Sequence, residues 1–348
     1  MSGQPTATTG AGGSARAGAV HSTRYQRWQR RLRAAGWTWP AMVAYGVKVA
    51  LRNTQNILLL LPSLGFVVAA GALFYVLSLL EGLVGTPRAQ GLYQFAQVFL
   101  RVDLTEVARL GEYRLQLWQG AFLLLIKVQL FYLLVMVGQL GPGLIANDLK
   151  TRALPIYFAR PITPLTYLLG KWLTIGVFIA LAMPLPNLAA LGVGVLVAGA
   201  PGTWSQTLGL AGDLALGGAV VMLVGGFVIL ALSSITADRR FVLVGWLAVA
   251  LLPHMAQQIL YQHLQPGATT RLLGSLSLSN DVLLLTTWLF DLRRAWEATG
   301  LPPGVYQAAL GREVQPLYPM LVLLGTAGLA AAICYRRVVR FSRAAANI

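Results

Sequence analysis

The sequence has few charged residues, since Asp, Glu, Lys and Arg make up only 11% of its 348 residues. A soluble globular domain usually has about 25%. Because 56% of the residues are apolar, the chain lacks the side chains that would give one or two soluble domains a polar surface. This excludes a soluble, disordered or fibrous protein for most of the chain and favours a polytopic membrane protein.

Cysteine and histidine are scarce as well. The one cysteine, Cys334, excludes an intrachain disulfide bond, and its position in an apolar run favours a packing role. The three histidines, His21, His254 and His263, lack the spacing that is typical of a metal site. We therefore expect no metal site in this chain.

A phosphate-binding loop of the G-x-x-x-x-G-K-[ST] type is also absent from the sequence. The one Gly-Lys pair, Gly170-Lys171, is followed by Trp172, and Leu165 stands where the first glycine should be. We therefore expect that the chain is not an enzyme, that it holds no cofactor, and that any energy source lies in another protein.

The N-terminal part of the chain divides into two segments. Residues 1–22 are mostly small and polar without apolar periodicity, which predicts a disordered tail. Residues 23–56 combine arginines with Trp and Tyr and are divided by Pro40, which predicts an amphipathic helix at the membrane interface in contact with lipids. An Arg-rich arm that binds nucleic acid is the alternative. The apolar run that begins at Ile57 favours the membrane, so we expect no nucleic-acid partner.

Residues 57–348 contain six apolar windows and therefore predict an all-α domain with six transmembrane helices, because a span needs about 20 apolar residues. The windows are residues 57–80, 115–140, 172–198, 214–232, 241–255 and 317–335, of which the fifth is the shortest. The sixfold crossing places both chain ends on the same side of the membrane.

The charges predict which side this is. With the N-terminus inside, the inner segments hold eighteen Lys and Arg residues against two carboxylates, whereas the outer segments hold eight cations and eight anions. Lys127 and Asp213 lie in or at spans, and their opposite charges cancel in the sum. The net charge of +16 thus lies on the inner side, as the positive-inside rule expects. We predict both termini in the cytoplasm and a multi-pass protein of the inner (cytoplasmic) membrane.

Two outer segments, residues 81–114 and 257–316, are long enough to form helices outside the spans. The second contains a helical pattern that Ser279 or Asn280 can cap and that Gly300 ends. Such a helix lies in the outer interface or covers the mouth of a pathway, and the sequence leaves both open.

The inner loop of residues 141–171 carries the strongest functional signal. Gly141-Pro142-Gly143 stops the second span, and residues 144–154 predict a short helix that Pro155 breaks. On this helix Asp148 and Arg152 have the i, i+4 spacing of an ion pair. One face of the helix is apolar, with Ile145, Leu149 and Ala153, and the other is polar, with Asn147, Asp148, Thr151 and Arg152. A short amphipathic helix of this kind suits a groove on a cytoplasmic partner.

The loop resembles that of the permease subunits of ATP-binding-cassette (ABC) exporters, the type-2 ABC transporter permeases. In that family an acidic residue in a short helix is followed by apolar residues, Arg-Pro-(Ile/Val), and a Tyr/Leu-rich run that ends in Gly-Lys. This chain has Asp148, an apolar stretch over 154–158, Arg160-Pro161-Ile162, Tyr167-Leu168-Leu169 and Gly170-Lys171. About 28 residues match closely, and the six spans agree with the family plan.

The resemblance implies a half-transporter that forms the substrate pathway as a dimer with a second permease copy, of the same or another chain. It also implies that two separate ATPase subunits, which hold ATP and Mg, bind to the inner loop. The expected contacts with the ATPase are Ile145, Asn147, Asp148, Leu149, Thr151, Arg152 and Leu154. Four residues are expected to return the chain to the membrane, namely Arg160, Pro161, Gly170 and Lys171.

Within the spans, four residues are candidates for the pathway. Lys127 and Asp213 are the ionisable groups that could face the membrane interior, where such groups are usually functional. Pro184 and Pro186 predict either a hinge or a static kink. An ion-gradient-driven secondary transporter is the alternative function, although it usually has several ionisable sites at mid-membrane and repeated halves, and we find no repeat. A membrane-embedded enzyme would need clustered Asp, His or Ser, which the sequence does not offer.

Overall fold

A computed structural model describes residues 38–83, 114–158, 162–263, 277–297 and 316–346. These residues form helices and their connections, without any strand. The predicted tail 1–22, residues 23–37 of the predicted interfacial helix, most of the outer segment 81–114, and the pair Arg160-Pro161 lie outside the described residues.

The described helices, numbered in chain order, fall into three groups. The first group precedes and includes the second span: α1 Trp39–Leu51, α2 Thr54–Leu58, α3 Leu61–Leu83 and α4 Arg114–Leu140. The second group covers the inner loop and third span: α5 Gly143–Lys150, α6 Ala153–Phe158, α7 Pro164–Ala182 and α8 Pro184–Ala198. The third group completes the chain: α9 Trp204–Ile235, α10 Arg239–His263, α11 Leu278–Leu289, α12 Leu292–Glu297 and α13 Leu317–Ala346.

Six helical stretches of the described residues are long and apolar enough to cross a membrane, which confirms the predicted fold class. They are Thr54–Leu79, Arg114–Lys150, Pro164–Ala198, Trp204–Ile235, Arg239–Leu260 and Leu317–Arg343. The chain is therefore a multi-pass membrane protein with a helical transmembrane domain.

Two spans begin earlier than their apolar windows predict, because polar caps start these helices. The third span begins at Pro164 rather than at residue 172, since the Thr163 side chain accepts a hydrogen bond from the Thr166 amide at 3.2 Å. The fourth begins at Trp204 rather than at residue 214, where Thr203 and Gln206 form a capping box. The apolar windows began directly after Lys171 and Asp213, so they missed the first turns of both helices.

Helix α9 forms the centre of the domain and packs against α7, α8 and α13. Over its most apolar window 56% of the residues are buried, against 22% for the first span and 17% for the fifth. Close packing depends on glycine, because a Cβ at Gly218 would lie 2.4 Å from the Pro184 Cβ. The first and fifth spans therefore present most of their surface outwards.

The third span is divided by a break at Met183, which has φ −133° and ψ −71°. Pro184 then occupies the first turn of α8, where a proline costs no helix hydrogen bond. The hinge or kink predicted at Pro184 and Pro186 thus corresponds to an interruption between two helices.

The outer segment 257–316 differs from the prediction in its described part. Helix α11 is capped by Ser277, whose side chain accepts from the Asn280 amide at 3.4 Å, rather than by Ser279 or Asn280. It ends at Leu289, and the chain turns at Asp291, whose φ is 47°, before α12 begins. Helix α11 packs against α4, α9 and α13, so this part belongs to the helical bundle.

Candidate coupling site

The inner loop forms two short helices instead of the single helix predicted over residues 144–154. Helix α5 ends at Lys150, and Arg152 adopts a φ of 53°, a conformation in which helices often terminate. Pro155 then lies in the first turn of α6, where its missing N–H is not needed. The proline thus helps to start the second helix and does not break the first.

Helix α5 begins against the end of the fourth span. Its start lacks a cap from its own chain segment, but the Ser233 hydroxyl of α9 accepts from the Ile145 and Ala146 amides, both at 3.0 Å. The same hydroxyl donates to the Pro142 carbonyl at 2.9 Å. Because first-turn amides of a helix otherwise lack partners, Ser233 fixes α5 to α9.

A second connection joins α5 to the third span. The Asp148 carboxylate lies 2.7 Å from the Lys171 Nζ and accepts a 2.7 Å hydrogen bond from the Tyr167 hydroxyl. The predicted Asp148–Arg152 pair is therefore wrong as a description of this structure. The helix stops before Arg152, so the i, i+4 geometry that such a pair needs is not reached. Instead, Asp148 and Lys171 bind each other.

Apolar side chains form a small core beneath α5 and α6. Ile145 and Leu154 are only 1% and 2% exposed. Their neighbours in this cluster are Tyr167, Leu168, Leu230, Cys334 and Val338. Cys334 is buried there as a packing residue, as predicted. Since Leu230 belongs to α9 and Cys334 to α13, the loop also packs against the fourth and sixth spans.

The opposite side of the loop is open. Lys150, Thr151 and Arg152 are exposed at the turn, and Ile156 is 65% exposed on α6. Of the seven residues expected to contact an ATPase, Thr151 and Arg152 are exposed, Asn147 and Leu149 are half-buried, and Ile145, Asp148 and Leu154 are buried. A partner that docks on this conformation therefore contacts the turn between α5 and α6 and the first residues of α6. We call this surface, residues 149–152 and 155–156, the exposed turn.

A depression beside the exposed turn is lined by Asn147, Lys150 and residues 237–240. The Arg239 guanidinium lies over the start of α5, where a Cβ at Gly143 would be 2.0 Å from its Nη2. The cations Lys150, Arg239 and Arg240 thus meet at this end of the domain, with Asp238 capping the Arg240 amide at 2.9 Å. This arrangement favours an anionic partner surface.

Gly170, one of the residues expected to return the chain to the membrane, has a packing role. A Cβ at Gly170 would lie 3.1 Å from the Met42 Cβ, and one at Gly46 would lie 2.8 Å from the Thr174 side chain. Glycines at both positions let α1 approach α7 closely. The described part of the predicted interfacial segment therefore packs directly against the third span.

Tyr157, on α6, lies beside Asp148 of α5 and Tyr45 of α1. Partial burial raises the pKa of its hydroxyl, and the nearby Asp148 carboxylate raises that pKa further. Its ring lies 5.9 Å from the Tyr167 ring. Tyr157 therefore remains a neutral hydroxyl at physiological pH and adds no charge to the Asp148 network.

The pathway candidates are not brought together in the structure. Lys127 is exposed on α4, Asp213 is half-buried on α9, and no ion pair joins them among the described residues. Next to the third-span break, Asn187 instead forms a reciprocal amide pair with Gln129, with both hydrogen bonds at 2.9 Å. Both side chains are almost fully buried, at 1% and 0% exposed.

Two contributors to these sites were missed at the sequence level. Ser233 lies far from the inner loop in sequence, and nothing within residues 141–171 indicates it. Gln129 stands in an apolar run and could have been noted as a polar residue two positions after Lys127.

No protein-family model matches this chain, and no curated protein matches it.

Proposed function

We propose that this chain is the transmembrane permease subunit of an ABC exporter. In this proposal two permease copies form the substrate pathway. Separate ATPase subunits, which hold ATP and Mg, bind the exposed turn. The chain itself hydrolyses no ATP.

One observation carries the proposal: the inner loop is open on one side and joined to three membrane spans on the other. Ser233 joins α5 to the fourth span, the Asp148–Lys171 pair joins it to the third, and the Cys334 cluster joins the loop to the sixth. A docked partner could therefore move these spans together. A loop that served only to connect two helices would not need these connections.

The mechanism follows from differential affinity. An ATPase dimer that binds one arrangement of the two loops more tightly than the other shifts the transporter towards that arrangement. The break at Met183 gives the third span a place to bend. ATP binding would in this way open the pathway outwards.

The orientation belongs to the same proposal. The exposed turn and the cations around it face the cytoplasm of a cell whose inner membrane holds the chain. Labelling of single cysteines tests this directly in a Cys334→Ala background. We expect Thr151→Cys to react with a membrane-impermeant maleimide only after cell lysis, and Ser205→Cys to react on intact cells. The reverse pattern contradicts the orientation and with it the proposed function.

Purification of the full chain from its native cells tests the partner. We expect a co-purified protein that takes up 8-azido-ATP label and hydrolyses ATP. It should be lost with Arg152→Asp combined with Ile156→Asp. The control is Arg343→Asp, an equally basic and exposed position on α13, which should retain it. ATP hydrolysis that persists in the double variant removes the proposed contact. Substrate uptake driven by an ion gradient without ATP would instead support a secondary transporter.

A further inference from the structure

Lys127 has an unusual position for a lysine in a membrane protein. It is the central residue of α4, thirteen residues from either end. It is exposed, and it shares one face of the helix with Leu124 and Phe131, which are 62% and 68% exposed. The charge therefore projects outwards from the domain at the middle of a span.

Lipid is a poor environment for this group. A lysine at the centre of a span costs about 2.5–3.5 kcal/mol on insertion scales. Either end of α4 is about 20 Å away at 1.5 Å per residue, whereas an extended lysine side chain reaches only about 6 Å. Lys127 thus cannot bring its ammonium group to the headgroup layer along the helix.

The described part of the chain does not supply a partner for Lys127 either. Among the described residues no side chain forms an ion pair or hydrogen bond with its ammonium group. Ionisable residues in spans almost always face the interior of a bundle, a polar cavity or another charged group. A second copy of the chain or the transported molecule would supply such a group.

The described helices leave this face uncovered. Helix α4 packs against α3, α7, α9, α10, α11 and α12 through its buried side, which does not include Lys127. In a twofold dimer the same face of each copy meets its mate. Two such faces would place two lysines at the same depth, where an anion between them would offset the repulsion of the two cations.

We propose that Lys127 binds the anionic group of the transported molecule, in a path between two permease copies. The apolar side chains around it, such as Leu124 and Phe131, would hold the hydrophobic part of an anionic amphiphile. This inference rests on the proposed permease function and adds the substrate class to it.

Photolabelling of the full chain in phosphatidylcholine nanodiscs tests the site. The probes are a diazirine-bearing fatty acid and its methyl ester, which differ only in the charge. We expect the acid to label α4 about tenfold more than the ester, as suits a charge-assisted hydrogen bond. Lys127→Met should abolish this difference and Lys127→Arg should retain it. The control Val128→Met alters the same helix face without removing the charge and should also retain the difference.

Equal labelling by acid and ester in the unchanged chain overturns the proposal, and so does a preference for the acid that survives Lys127→Met. A second measurement separates this failure from failure of the proposed function. In the Cys334→Ala background, Phe131→Cys should cross-link to the same residue of a second copy. A cross-link and a co-purified ATPase without acid preference leave the permease intact and remove only the anion site.

Discussion

The inner end of the domain and its mid-membrane layer use polar side chains in different ways. At the inner end, Asp148 and Ser233 connect α5 to two other helices, and the Lys171 side chain remains 19% exposed. At mid-membrane, Gln129 and Asn187 satisfy each other and are sealed from solvent. The comparison indicates that the Asp148–Lys171 pair can be reached by a partner through Lys171, whereas the Ser233 connection is as fully buried as the mid-membrane pair. The mid-membrane pair instead fixes the packing of α4 beside the break in the third span.

The largest expected effect lies in the Asp148 network. We expect Asp148→Ala to lower the free energy of unfolding by about 3 kcal/mol, because it leaves the Lys171 ammonium group partly buried without its carboxylate. Denaturation of the purified chain by SDS measures this. The control Lys150→Ala, at an exposed neighbouring position, should change stability by less than about 0.5 kcal/mol. Equal effects of the two variants would mean that the ion pair does not stabilise α5.

A smaller effect is expected for the mid-membrane pair. Gln129→Met or Asn187→Ala each leaves one buried amide without its partner, which costs about 1–2 kcal/mol. The double variant should cost less than the sum of the two by about 1 kcal/mol, as a double-mutant cycle measures. Strict additivity would show that the two amides do not stabilise each other.

The smallest effect concerns the tertiary cap of α5. Ser233→Ala should cost about 1 kcal/mol and raise hydrogen exchange of the Ile145 and Ala146 amides about fivefold. The matched control is Ser234→Ala, since the adjacent buried hydroxyl bonds the Ala231 carbonyl of its own helix at 2.7 Å. Unchanged protection of both amides in Ser233→Ala would contradict the role of this residue in holding the loop.

The spans were predictable because their signal is local. A run of about 20 apolar residues specifies a membrane helix without reference to the rest of the chain, so all six were found. Their limits were less accurate, since the caps at Thr163 and Thr203 start helices well before Lys171 and Asp213, the charged residues after which the apolar windows began. The break in the third span was also indicated, because proline acts on its own backbone and needs no distant partner.

The inner loop was predictable only in part. The sequence correctly placed a short helix after Pro142. The expectation that the polar side of this helix faces a partner did not consider contacts with other helices of the same chain. In the structure the buried face includes Asp148, because Tyr167 and Lys171 come to it from the next helix. Only Thr151 and Arg152 of the predicted contacts remain fully open.

The sequence by itself determined that the chain has six helices long and apolar enough to cross a membrane and that a short helix follows the second of them, because hydrophobic length and proline and glycine signals act within a few residues. Only the tertiary structure decided which polar groups meet. Ser233 and Ile145 are 88 residues apart in the chain, and contacts between distant segments depend on how whole helices pack, which no local pattern encodes.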